Sequence, residues 1–460
     1  MTDQQTTPDP ARFATSKMTL FVDRAMTWLI RAGGVGIIIA VFGIFLFIGT
    51  QVVPLFRSAR VSPGATVALP DGVDKAHIVG LISDEWGELP TVISANGKAA
   101  FVPQDGTAPL VVDLALGAGV TISAAHVDHL NQRFVLGTSD GRLLIRRPSF
   151  AAGFNAKGAR TITGEFKDGL EFPVGTPGAP LLKVAFGEND TKKLIAAIQH
   201  VDGKPHVITV PVTQKRALIG PPKLVVGEVT DLTAKIAGNP EQVLVDERGD
   251  SVLVATADGT VYYFFAGADD LELRQTFRPF DDQPQATLSS IDYLLGDVSL
   301  VLTNPAGINR LFSLYIKPGT DIRQFGHTKT FDPLDGGATS YAPSVRNKSF
   351  LITHDKEASL RYGTSASTRW EDHLDYPITH VALSGKYHRI FLLDDRGTLH
   401  SQVLDDPHPE SGLASLFSKV WYEGADRPAY VWQSSGSDDS EPKMSMIPLI
   451  IGSIKGTIYA

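Results

Sequence analysis

The 460-residue chain is long enough for two to four ordinary domains or one large repeat architecture. With 43% hydrophobic and 20% charged residues it is not disordered as a whole. Its 42 basic against 50 acidic side chains, a net charge of -8, give no sequence-wide attraction for nucleic acid. The absence of cysteine excludes disulfides, thiolate metal sites and a cysteine nucleophile, and it suits a cytosolic or a periplasmic location equally.

The first sixteen residues, MTDQQTTPDPARFATS, lack apolar periodicity and read as a disordered tail. Between Lys17 and Arg31, apolar residues at near-helical spacing predict either a short interfacial helix or an extension of the helix that follows. From Ala32 to Phe56 no charge interrupts the sequence, and 25 residues at helical rise span about 37 Å, enough to cross a bilayer with some tilt. The run is longer than the apolar core of a cleaved signal peptide and ends in Pro54, Leu55 and Phe56, so a retained transmembrane helix is expected. Arg12, Lys17, Arg24 and Arg31 precede it and Arg57, Arg60 and Lys75 follow, which favours a cytoplasmic N-terminus by a modest margin. Trp28 sits where an interfacial aromatic belongs. Gly33, Gly36, Ala40 and Gly43 leave one helix face nearly bare, suited to close approach of another membrane helix, although glycine is common in such helices without that role.

From about Val67 the pattern changes to short β-branched runs punctuated by Gly, Asp, Asn and Pro. A strand, a tight polar turn and a second strand recur in Thr91–Phe101, Phe134–Ile145, Val252–Tyr263 and Ile390–His400. Asn-Gly and Asp-Gly supply the positive φ that a twist-compatible hairpin requires. Weaker copies turn at Asp202 and Gly203, between Asn304 and Gly307, and near Lys356 and Glu357. The seven turns lie roughly 40 to 60 residues apart, the spacing of four-stranded propeller blades with loop insertions. An all-β, WD40-like β-propeller is therefore predicted, with seven blades as the first expectation and six or eight as alternatives. A sandwich or antiparallel barrel accounts less well for the repeat.

No catalytic, cofactor-binding or metal-binding residues are assigned. Histidines are absent from any H-E-x-x-H frame, and neither a Gly-x-Ser-x-Gly elbow nor a Walker A loop occurs. His126, Asp128 and His129 form the segment HVDH, but that spacing on a strand does not put both rings on one face, so they read as ordinary hairpin or loop residues. Arg142, Arg146 and Arg147 carry anion-binding chemistry, yet alternation divides them between two faces of a solvated outer strand.

After the last repeat, Asp405 to Pro409 breaks the strand pattern, Leu413 to Val420 reads as a helix at a membrane surface, and Trp421, Tyr422, Tyr430 and Trp432 are aromatics of the interfacial type. Met446 to Ala460 is apolar with one charge, Lys455, and is too short for a complete span. Here DPHPE, SLFSKVWYEG, YVWQSS and EPKMSMIPLIIGSIKGTIYA resemble the junction that precedes the transmembrane domain in the long form of the phosphate-specific ABC transporter permease, the PstC-like family. The N-terminal FVDRAMTWLIRAGGVGIIIAVFGIFLFIGTQVVPLF resembles the first membrane helix of that family, and the middle resembles its extracytoplasmic domain by architecture alone.

The resemblance implies a bacterial inner-membrane protein with a periplasmic propeller. It also implies phosphate import with an ABC ATPase subunit, a second permease subunit and a periplasmic phosphate-binding protein as partners, besides the lipid bilayer. The expected organisation is a cytoplasmic tail (1–16), an interfacial and transmembrane helix (17–56), the propeller (57–405), a juxtamembrane connector (406–445) and the start of the permease transmembrane domain (446–460). The other permease helices would lie beyond Ala460, in a longer chain or on a separate one. Gly33, Gly36, Ala40 and Gly43 are the expected helix-packing residues, and Trp421, Tyr422 and Trp432 the expected contacts near the membrane surface or with a partner. An anchored propeller scaffold for envelope protein assembly, without transport, is the alternative.

Overall fold

A computed structural model of the chain describes residues 15–154, 158, 160–167, 169–190, 192–215, 223–267, 270–436 and 441–460. All but the last two residues of the expected N-terminal tail lie outside them. The chain divides into two units, Met1–Arg57 and Ser58–Ala460.

The first unit is built on one helix, α1 (Lys17–Val52), continued by a 3-10 turn over Val53–Phe56. The Ser16 hydroxyl caps α1 by accepting from the Met18 N–H at 3.2 Å. No break separates Lys17–Arg31 from the apolar run, because nothing between them interrupts the i to i-4 hydrogen bonds. The extension, not a separate interfacial helix, is what forms. The helix is long and apolar enough to cross a membrane, and none of its residues is buried.

The second unit is a seven-bladed propeller. Six four-stranded antiparallel blades follow in sequence: 78–113, 122–173, 181–226, 240–277, 290–331 and 340–373, the third carrying a short fifth strand, Thr230–Asp231. Within each blade the first strand is innermost and contributes to the lining of the axis. The seventh blade takes three strands from 378–405 and its outer strand, Arg60–Ala68, from the other end of the unit. Arg60 pairs with Asp405 and Ala68 with Thr398, across a bulge between Pro63 and Thr66 where the Ala65 N–H donates to Ser401 Oγ at 2.9 Å. This strand closes the ring and removes the two edges an open array would expose.

Every hairpin expected from the turn pattern joins the second and third strands of a blade. At Gly259 the chain takes φ +85°, and a Cβ there would stand 2.0 Å from the Ala286 carbonyl oxygen, so the turn needs glycine on both counts. The widest repeat spacing has a specific cause. A hairpin of Pro148–Phe154 and Arg160–Phe166 is inserted between the third and fourth strands of blade 2, and its Phe150 and Phe166 pack on Phe101 of blade 1.

The apolar core lies between blades. Phe134, Leu136 and Leu144 of blade 2, for example, pack with Ile82, Ile93 and Ala99 of blade 1. Both chain ends of the propeller, Arg60 and Asp405, lie on the face that carries the loops joining first to second and third to fourth strands. Residues 406–436 and 441–446 lie over this face and include the helix α2 (Leu413–Phe417) and a two-stranded ribbon, Trp432–Gln433 with Lys443–Met444. They lead into the helix α3 (Ile447–Tyr459).

Candidate functional site: an axial channel and a clamped connector

The first strands leave a channel of about 340 Å³ along the propeller axis, to which all seven blades contribute. Its polar lining includes His126, Asp128, His129, Gln242, Asp292, Asp297, Tyr341 and His380, with Lys183 near the start of its strand. Burial depresses the imidazoles: His129, further lowered by the His126 ring, and His380 both titrate at about 4, and His126 moves in the same direction. Burial pushes the carboxyl groups the other way. Asp292 rises to about 7 with the Lys183 ammonium partly opposing the shift, and Asp297 to about 8 with the charges of Asp128, Asp246 and Glu247 adding to it. Asp297 Oδ1 has no hydrogen-bond partner in the protein, and the hydroxyl of Tyr293, at the end of the strand before it, has none either.

His126 and His129 thus meet in one cavity, contrary to the alternation argument. His126 lies within the strand Ile122–Asp128, but His129 belongs to the turn beyond it, where strand alternation no longer applies. Even so, among the described residues no group of three His, Asp or Glu side chains could hold a metal ion. What the channel offers is neutral imidazoles and, at Asp292 and Asp297, carboxyls that burial pushes toward the protonated form, groups that can both donate and accept hydrogen bonds.

The arginines of blade 2 are paired with carboxylates. Arg133 is fully buried, paired with Asp128 at 2.7 Å and Glu188 at 2.5 Å, and lies over the Phe186 ring. Arg142 is held by Asp140 at 2.8 Å and by Glu171, Arg146 faces Glu171 at 3.9 Å, and Arg147 pairs with Glu188 at 3.1 Å on the opposite side. The three arginines are divided as alternation predicts, and each has a carboxylate neighbour.

The second polar cluster fixes the connector to blades 5, 6 and 7. Asp406 pairs with Arg369 at 2.6 Å and accepts from the Tyr387 hydroxyl at 2.9 Å. Glu423 pairs with Lys348 at 2.6 Å, accepts from Ser299 Oγ at 2.6 Å, and through its own N–H donates to Glu441 Oε1 at 3.0 Å. Glu441 also accepts from the Thr364 hydroxyl. Burial, and then the Glu423 charge, push the Glu441 carboxyl up.

This packing overturns one expectation. Tyr422 is only 3% exposed and cannot face a membrane or a partner, because the buried Glu423 beside it draws the chain into the propeller. Trp421 is half-buried, its indole donating to the Ala425 carbonyl at 2.8 Å, whereas Tyr430 and Trp432 stay exposed. The helix read over Leu413 to Val420 is shorter, Leu413–Phe417, because Ser418 is extended and Val420 pairs with Ala429. On α1, Gly33, Gly36, Ala40 and Gly43 are all exposed, and a Cβ at Gly33, Gly36 or Gly43 would meet nothing within 4 Å.

No protein-family model and no curated protein matches the chain. Among solved structures, Raptor from Chaetomium thermophilum matches with a TM-score of 0.50 and 10% identity, over 78% of this chain and 30% of that one. The β-propeller domain of Cps50 (Swd1) from Myceliophteria thermophila matches at 0.49 and 11%, over 75% and 99%. A chain of the Mitotic Checkpoint Complex matches at 0.45 and 11%, over 74% and 93%. The likeness is to WD40-type propellers and concerns the fold alone.

Proposed function

We propose that the chain is the membrane-anchored, extracytoplasmic part of the permease subunit of an ABC importer for inorganic phosphate. Its propeller serves docking or regulation and is not an enzyme, α1 crosses the inner membrane with the N-terminus in the cytoplasm, and the propeller lies in the periplasm. The observation that carries this reading is the topology of the ring closure. The propeller's two chain ends leave from one face, one joined to the α1 segment through residues 57–59 and the other leading through the clamped connector to the apolar α3. That is the connectivity of a domain inserted between two membrane segments, and the resemblance at both junctions supplies the phosphate assignment.

The test is a tagged pull-down from detergent-solubilised membranes, together with phosphate uptake by cells whose chain lacks residues 58–405. A co-purifying ABC ATPase and altered uptake are expected. No ATPase and unchanged uptake would remove the transport role and leave an anchored scaffold for envelope assembly.

A further inference from the structure

The helix α3 is predominantly apolar, with Lys455 its one charge and hydroxyls at Ser453 and Thr457, and none of its thirteen residues is buried. Such a helix is not stable with its whole circumference in water, and it calls for an apolar medium around it. Its root is fixed in the protein. The Met446 N–H donates to the Leu416 carbonyl at 2.8 Å, and the Ser445 N–H to the Val431 carbonyl at 3.0 Å. The medium that surrounds α3 therefore begins at the level of α2 and the two-stranded ribbon.

At that level the chain displays apolar groups outward. Leu413 and Phe417, one helical turn apart, are 69% and 47% exposed, while Ser415 and Leu416 between them are buried. Tyr430 and Trp432 both stay exposed, and Lys419 Nζ lies 5.8 Å from the Tyr430 ring centre. Apolar anchors bordered by aromatics and lysine are the composition of a membrane interface. The display is fixed, since the connector is held by the buried Lys348–Glu423 pair.

We infer that α2 and the ribbon form an interfacial seat, in which Leu413, Phe417, Tyr430 and Trp432 enter the headgroup region of the bilayer. The seat turns the face bearing both chain ends toward the membrane. The inference rests on the membrane-anchored reading above, but it places a different set of residues in the lipid from those of α1.

The chain contains no cysteine, so single replacements can carry a nitroxide label. The full chain is placed in nanodiscs of phosphatidylethanolamine and phosphatidylglycerol with Ile38→Cys in α1, Asp395→Cys at the turn between the second and third strands of blade 7 on the opposite face, Leu413→Cys or Phe417→Cys. All four positions are exposed, so labelling leaves the core intact. Accessibility to oxygen and to a water-soluble nickel chelate gives depth. The expected order is position 38 in hydrocarbon, 395 in water, and 413 and 417 about 5–10 Å into the headgroup–acyl boundary. Positions 413 and 417 as aqueous as 395, with 38 in hydrocarbon, would overturn the seat and leave the anchor standing. Shielding of 413 and 417 from both reagents would overturn it in favour of a protein cover, and an aqueous position 38 would remove the anchored reading and the seat together.

Discussion

The connector clamp and the axial channel both place ionisable groups away from solvent, and they treat them in opposite ways. In the clamp, Lys348 and Glu423, 6% and 11% exposed, meet at 2.6 Å and Ser299 adds a further hydrogen bond. In the channel, Asp297 Oδ1 has no hydrogen-bond partner in the protein, and burial favours the neutral forms of Asp292, Asp297, His129 and His380. Paired charges fix one segment on another at the cost of desolvation, so the clamp determines where the connector lies. The unpartnered atoms of the channel, Asp297 Oδ1 and the Tyr293 hydroxyl, keep hydrogen-bonding capacity for whatever occupies it.

The largest effect should come from breaking the clamp. Lys348→Met leaves Glu423 buried without its counter-ion, and a loss of about 3–5 kcal/mol is expected in denaturant unfolding, much of it recovered when Glu423→Gln is added. Recovery in the double variant is the informative result, because a merely misfolded blade 6 would not respond to a change in the connector.

The channel should answer to pH instead. A carboxyl whose folded value is raised binds more protons in the folded state, so its contribution to stability falls as pH rises from about 4 to the folded value. The buried imidazoles act in the opposite sense, adding stability between about pH 4 and 6.5. The two trends oppose one another below pH 6.5, and above it the decline due to Asp297, which titrates at about 8, remains. Asp297→Asn should remove that decline, raising stability at pH 8.5 relative to pH 6.5 by about 1–2 kcal/mol over the parent. In Asp292→Asn, thermal unfolding should show a steeper rise from pH 4.5 to 6.5, since the imidazoles are then less opposed.

Arg361 sharpens the contrast from a third position. It is fully buried in blade 6, Nε donates to Ser359 Oγ at 3.0 Å, the guanidinium lies 5.8 Å from the centre of the Phe331 ring, and neither terminal nitrogen has a hydrogen-bond partner in the protein. Burial lowers it to about 10. Arg361→Met should therefore be neutral or stabilising by about 1 kcal/mol, where the same change at a paired site is costly. A large loss would mean that the guanidinium has a structural partner, such as an internal water.

The blades were legible because their hairpin turns carry a chemical signature: Gly141 and Gly259 take φ of +87° and +85°, which few other residues tolerate. The closing strand was not, since RVSPGATVA contains proline and glycine at its bulge and alternates only weakly between exposed and half-buried positions. The channel was hidden for another reason. Its lining comes from all seven innermost strands, and His129 enters it from a turn, so no local spacing brings these residues together. Tyr422 misled because an aromatic near an apolar stretch looks the same whether it faces lipid or packs behind a buried ion pair.

The closing strand also bears on how the protein is made. Ala65 and Ser401, hydrogen-bonded in the finished ring, are 336 residues apart in the chain. During synthesis from the N-terminus, Arg60–Ala68 emerges before any blade, yet it finds its partner only after blade 7 is complete. Throughout elongation it remains an unpaired edge, open to wrong partners. Its proline, its glycine and its mostly exposed pattern make it a poor template for such pairing, so the weak alternation that conceals this strand in the sequence also protects the nascent chain while it waits.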